Sequence, residues 1–268
     1  MKKTLIALAL AASAVSGSVM AWTTGDLNGS IDIGGTVTPT PVSPWQWKMG
    51  ANIASLNADT TAMTEANAVT ITVTTPAPIV MGKMVNPTVG GPGLAPQITW
   101  ADIDNNAVSI NFKGGSDGSG SLTLPMVAQD GTTKLGSVVL NTHSYGLMAN
   151  SNPATGAGLN FQPLQASNAG DAGLGLLGTN SDQLQGADVT IAAMNTLAKE
   201  EIFSAVMKQG ATAKDQAASS QLTSNAYKNT AAMVMGFNVG DSVVVTFNTK
   251  PTTATVWKAP LKVTVTNI

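Results

Sequence analysis

Hydrophobic and polar residues alternate with a period of two over much of this chain, the spacing of β-strands that bury one face. The first such run stands near the amino terminus. Leu27, Gly29, Ile31, Ile33, Gly35 and Val37 share one parity, and Asn28, Ser30, Asp32, Gly34 and Thr36 the other. Pro39, Pro41 and Pro44 follow, so the arm at 22–38 is a strand with no hairpin partner next to it in sequence. Further strands are expected at 69–73, 97–100, 135–140, 231–237, 242–247, 253–257 and 261–268, with Leu261, Val263 and Val265 on the apolar side of the last. A hairpin is expected where 107–112 leads into the glycine-rich 114–120 and 121–124 leads out.

Between about 150 and 230 the alternation gives way to Gly, Ala, Asn and Ser. Within that stretch Ile191, Met194, Ala198, Ile202, Ala205 and Val206 recur at helical spacing, and Gly210 is a natural stop. The pattern predicts one amphipathic helix in a long loop-rich insertion, hanging from one end of the fold. Many short strands with Gly and Pro turns predict an all-β fold, a β-sandwich of immunoglobulin-like type.

The amino terminus changes the compartment. Lys2 and Lys3 precede an apolar run at 5–12, which ends in Ser18-Val19-Met20-Ala21. This is the layout of a secretory signal peptide over 1–21, and the run falls short of the about 20 apolar residues a membrane span needs. The formal charge of −2 becomes −4 when the two leader lysines are removed. Such a chain has no basic field for nucleic acid or anionic lipid. Cysteine is absent, so stability rests on burial and hydrogen bonds, and neither a thiolate metal site nor a cysteine nucleophile is available.

Three short motifs could carry chemistry, and each has a plainer use. Gly114-Gly115-Ser116-Asp117-Gly118 fits the hydrolase elbow, but a strand follows it where the elbow needs a helix. His143, the single histidine and the one imidazole base on offer, is expected at a partly exposed strand end. Gly173-Leu174-Gly175-Leu176-Leu177-Gly178 fits the dinucleotide fingerprint without the strand before it or the helix after it. Asp102 to Asn106 resembles the start of a calcium loop, but Ala107 and Lys113 stand where glycine and glutamate belong, so a β-turn is expected. No cofactor and no metal is expected. The five tryptophans are core residues by default, and an exposed one would suit sugar stacking.

The two chain ends carry the functional reading. An orphan strand with an apolar face suits a domain whose open edge accepts a strand from a neighbour, a form of β-strand addition. Folding back into its own sheet needs the same alternation, so pattern alone leaves both readings open.

Several stretches resemble the kappa-class fimbrial subunits of enterobacteria, the K eighty-eight (F four) type. They are the leader, the arm from Thr24 to Gly35, Trp45-Gln46-Trp47-Lys48, Pro96-Gln97-Ile98, Leu124-Pro125-Met126, Gly136-Ser137-Val138 and Trp257-Lys258-Ala259-Pro260-Leu261, in the family's order. The resemblance implies a pilin domain over 39–268 with an incomplete immunoglobulin-like fold, exported through the periplasm to a surface fimbrium. A periplasmic chaperone would hold it and an outer-membrane usher would receive it. Neighbouring subunits would join by donor-strand complementation, Leu27, Gly29, Ile31, Ile33, Gly35 and Val37 of one filling the groove of another. The groove-side strand, which the chaperone would pair with first, would carry Leu261, Val263 and Val265. The major subunit of this family is also the adhesin and binds host carbohydrate. Two departures stand out: the chain ends in Asn267-Ile268 where such subunits end in aromatic residues, and 150–230 matches poorly, so no receptor contact is carried over. Phe161, Phe203 and Tyr227 are the candidate stacking faces there. The expectation is an adhesive fibre subunit and not an enzyme. The alternatives are a minor or purely structural pilin and, from another class, a secreted β-sandwich hydrolase.

Overall fold

The computed structural model describes residues 44–268 apart from 52, 54–55, 116, 199–205, 207–212 and 215–220. The leader at 1–21, the arm at 22–38, Ser116 and Phe203 therefore lie outside the described residues. The chain runs through β1 (Trp45–Met49), β2 (Ala68–Thr72), β3 (Ala77–Met84), β4 (Thr88–Val89), β5 (Pro96–Ala101), β6 (Ala107–Val108), β7 (Asn111–Phe112) and β8 (Ser119–Ala128). It continues through β9 (Lys134–Ser151), β10 (Gly158–Pro163), α1 (Ala187–Ala198), β11 (Ala213–Lys214), β12 (Lys228–Phe237), β13 (Ser242–Phe247), β14 (Trp257–Lys258) and β15 (Lys262–Asn267). The fold is all-β, as the alternation predicts.

The organiser is β9. Its first half pairs antiparallel with β8 on one side and β13 on the other, as in Leu122↔Leu140 and Val243↔Leu140. Its second half changes partners, to β12 and β10. From there the sheet runs β1-β3-β12-β9-β10-β11, while β15-β5-β6 forms a second sheet. One main core joins the two: Ile98 and Trp100 from β5 pack in the same cluster as Leu124 from β8, Met233 and Met235 from β12, and Val245 from β13.

Residues 107–112 do not form one strand. Ala107 and Val108 pair with β5, whereas Asn111 and Phe112 pair with β8, so the chain changes sheets at Ser109-Ile110. The hairpin into β8 forms where the glycine-rich turn predicts it. Five strands went unread in the sequence, among them the two-residue β4 and β11. β1 and β3 carry no clean alternation signal of their own, and β10 and β11 lie inside the stretch taken as loop. At the other extreme, Thr253 to Val256 are not strand, and β14 begins only at Trp257.

The helix sits differently from the expectation. It does not hang from one end but covers the outer face of β9 and β12. Tyr145, Leu147 and Ala149 of β9, Ala232 and Val234 of β12, and Phe161 of β10 form a second core with Met194, Leu197 and Ala198 of the helix. The alternate residues, Met148, Met233 and Met235, face the main core. Strands buried on both faces lose alternation and read as continuous apolar runs, which is the texture of 231–237. Of the helical stripe, Met194, Ala198 and Val206 are buried and Ile191 is half-buried.

The glycines at 173–178 serve packing. Their loop lies along β5: Leu174 O accepts from Ile98 N at 2.8 Å, and Trp100 Nε1 donates to Gly175 O at 2.6 Å. Gly175 has φ +86°, and a Cβ there would stand 2.0 Å from Ile98 O. Gly175→Ala therefore combines a left-handed backbone with a backbone clash, and should cost at least about 1–3 kcal/mol. Thermal denaturation measures it; an unchanged midpoint would mean that the loop does not dock on β5.

Candidate functional site

The inward side of β1 opens progressively along its length. Trp45 is 5% exposed, Trp47 is half-buried, and Met49 is 49% exposed, although all three share one parity. The first two rings stack, with centroids 5.5 Å apart and planes at 21°. Trp45 is anchored further by its Nε1, which donates to Leu94 O at 2.9 Å. A position that should be core is thus left uncovered at Met49. On one edge β1 pairs with β3, and no described strand pairs with its other edge.

The far side of the opening is built by the chain's last segment. Trp257, Ala259 and Leu261 line it. β15 follows and pairs with β5 alone among the described strands, Val263 opposite Trp100 and Val265 opposite Ile98. Val263 and Val265 lean on the main core but remain only half-buried. Of the three residues assigned to a groove-side strand, Leu261 lines the opening just before β15, and the two valines lie beyond it, in β15 and paired with β5.

Between these walls is a groove of about 1120 Å³. Its floor is apolar and comes from five strands: Ile71 of β2, Ile79 of β3, Leu140 of β9, Phe237 of β12, and Val245 and Phe247 of β13. Phe237 is 1% exposed and Val245 fully buried, so the floor is the top layer of the core itself. The rim is more polar. There Asp59 accepts from Thr61 N at 2.8 Å, a bond that holds its carboxyl below the usual carboxylate range, and Lys258 Nζ donates to Gln129 O at 2.9 Å. An apolar floor of this kind offers side-chain pockets, one of the two requirements for adding a strand.

The other candidates fall elsewhere. Phe161 is 3% exposed and packs in the second core, so its ring has no face open to a sugar. Tyr227 is half-buried just before β12. Trp45 and Trp100 are buried, and Trp47 and Trp257 half-buried. His143 stands within β9 and not at a strand end; its Nδ1 lies 3.0 Å from Asp241 Oδ2. The Asp102 carboxylate accepts from Asp104 N, Asn106 N and Asn106 Nδ2, closing a turn in which Asn105 has φ 67°. Among the described residues no group of three or more acidic, histidine or cysteine side chains is placed to hold a metal ion. Sequence reasoning missed the groove floor, because Ile71, Ile79, Leu140 and Phe237 look like any other core residues in the chain.

The class that the structure defines is an all-β domain with an open apolar groove. Comparison with known proteins narrows it. Residues 1–268 match the family described as "Fimbrial, major and minor subunit". K88 fimbrial protein AB of Escherichia coli is 33% identical over 99% of both chains, and K88 fimbrial protein AD of the same organism is 32% identical over 99% of both. K88 fimbrial protein AC is 33% identical, again over 99% of each chain. The chain belongs to this K88 fimbrial family. It is a structural or adhesive subunit of a surface fimbrium, and such subunits assemble with one another. No helix among the described residues is long and apolar enough to cross a membrane.

Proposed function

We propose that the subunit polymerises by donor-strand complementation, its groove accepting the arm at 22–38 of the next subunit. The single observation that carries this is the uncovered apolar floor between the end of β1 at Met49 and the segment from Trp257 to Leu261. The arm has the matching chemistry: its apolar parity, Leu27, Ile31, Ile33 and Val37, suits the aliphatic and aromatic floor, and Gly29 and Gly35 let the backbone lie close. Before assembly the same surface would expose unpaired backbone and apolar side chains, a liability for aggregation. A periplasmic chaperone that pairs first with the strand bearing Leu261, Val263 and Val265 removes that liability and delivers the subunit to an outer-membrane usher. The role is structural and adhesive, with attachment to host-cell carbohydrate, and not enzymatic.

The test is a subunit lacking 22–38, released from its chaperone in the presence of a synthetic peptide of that sequence. The peptide should bind and raise the thermal midpoint, because a ligand of the native state stabilises by about 4 kcal/mol at a thousandfold excess over its Kd. A peptide that neither binds nor stabilises would overturn the groove assignment. So would a full-length monomer whose own arm lies antiparallel beside β15.

A further inference from the structure

A second cleft lies on the opposite face of the strands that floor the groove. Along β9, Leu140 and Thr142 point inward, and Asn141 and His143 outward, by the two-residue alternation of a strand. On β13, Val243 and Val245 point inward and Ser242 outward. The cleft, of about 360 Å³, is completed by Lys113 and Asp117 from the β7–β8 hairpin and by Asp241 from the turn before β13. It is of a size to take one sugar ring, near the lower end of ligand pockets, which begin at about 300 Å³.

The polar groups are held in place by one another. Asn141 Nδ2 donates to Ser242 O and Oγ, at 3.1 and 3.0 Å, and Lys113 Nζ donates to Asn141 Oδ1 at 3.3 Å. Asp241 Oδ2 faces His143 Nδ1 and also accepts from Asn238 N at 2.7 Å. Asp117 Oδ1 accepts from Ser119 N at 2.8 Å. The His143 ring stacks on Tyr145, with centroids 5.9 Å apart. After these bonds, the second oxygens of Asp117 and Asp241, Nε2 of His143 and the remaining N–H groups of Lys113 have no described partner. Hydrogen-bonding capacity of both signs therefore converges on one small cleft, from side chains on β9 and β13 and on the two turns beside them.

That chemistry selects an occupant. Two carboxylates disfavour an anion, and the polar walls disfavour a hydrocarbon. Adjacent donors and acceptors fit a ring that carries several neighbouring hydroxyls, each able to donate and accept. We infer that this cleft binds a single neutral hexose or deoxyhexose unit of a host glycan, on a face that stays open when the groove is filled. The inference rests on the adhesive reading above and gives that reading a site outside the 150–230 insertion.

The test uses assembled fimbriae, in which many weak sites act together. Fimbriae of the wild type and of Asp117→Asn, Lys113→Ala and Tyr227→Ala subunits are passed over surfaces bearing galactose, glucose, mannose or fucose, and over host cells. Asp117→Asn keeps an acceptor for Ser119 N and so preserves the turn. The expected result is retention on at least one sugar surface, at least tenfold weaker for the Asp117 and Lys113 variants and unchanged for Tyr227→Ala. A loss confined to Tyr227→Ala, an equal loss in all three, or unchanged binding by the Asp117 and Lys113 variants would overturn the cleft and leave the adhesive reading standing. Adhesion to cells with no retention on any of the four sugars would do the same. Fimbriae that assemble but bind neither sugar nor cells would overturn the adhesive reading, and the cleft with it.

Discussion

Subunits carrying Ile31→Asp or Ile33→Asp will fold, reach their chaperone and fail to extend a fibre. In the proposed joint between subunits each isoleucine buried in the groove would contribute about 1.5–3 kcal/mol. An aspartate at the same position reverses the sign, because an ionised carboxylate without a partner is far costlier to bury than the lost methylenes. The floor it would meet is Ile71, Ile79, Leu140, Phe237 and Val245, which offer it no donor. The arm lies outside the described residues, and the assignment rests on its alternation, so electron microscopy of bacteria expressing each variant is the decisive measurement. Long fibres from either would refute the donor role of that residue. Failure to recover the chaperone-bound subunit would place the isoleucine in the fold of its own domain.

Phe237→Ala will be the most damaging single truncation at the groove. Phe237 is 1% exposed, ends β12, and serves the core and the floor at once. Large-to-small changes of this kind cost about 3–5 kcal/mol, the transfer term plus the cavity left behind. That is a large fraction of the about 5–15 kcal/mol that stabilises a typical domain. Urea denaturation of the subunit complemented with the 22–38 peptide measures the loss, and peptide titration measures the second effect, weaker binding. Val234→Ala, on the helix side of the same strand, is the control, since it should lower stability without touching peptide affinity. A loss below about 0.5 kcal/mol for Phe237→Ala, the range of ordinary surface changes, would contradict the packing described.

Which elements could be read in advance follows from how many faces each strand buries. β2, β5, β13 and β15 have one apolar side, and their alternation is plain in the chain. β9 and β12 pack against the main core on one side and the helix on the other, so the pattern there shows hydrophobicity without direction. The expectation for β9 stopped at Leu140, yet the strand continues to Ser151 through residues that face two cores. β3 carries Pro78 and Gly82 within its length, both of which argue against a strand; Trp47 lies over Gly82, where a Cβ would meet its ring at 2.4 Å. Only the pairing with β1 and β12 explains why the strand persists.

The sequence by itself determined the class of fold, the apolar parity of residues 22–38, and the kinship carried by both chain ends. These are local properties, set by period, by Pro and Gly, and by short ordered motifs. Tertiary structure alone decided where the core is left open, because the groove floor gathers residues from Ile71 to Phe247 that are no neighbours in the chain. It also decided that Phe161 is core and not surface, and that His143 meets Asp241 beside Lys113 and Asp117. Alternation assigns a residue to one of two faces of a strand; which face is covered, and by what, depends on partners tens to more than a hundred residues away.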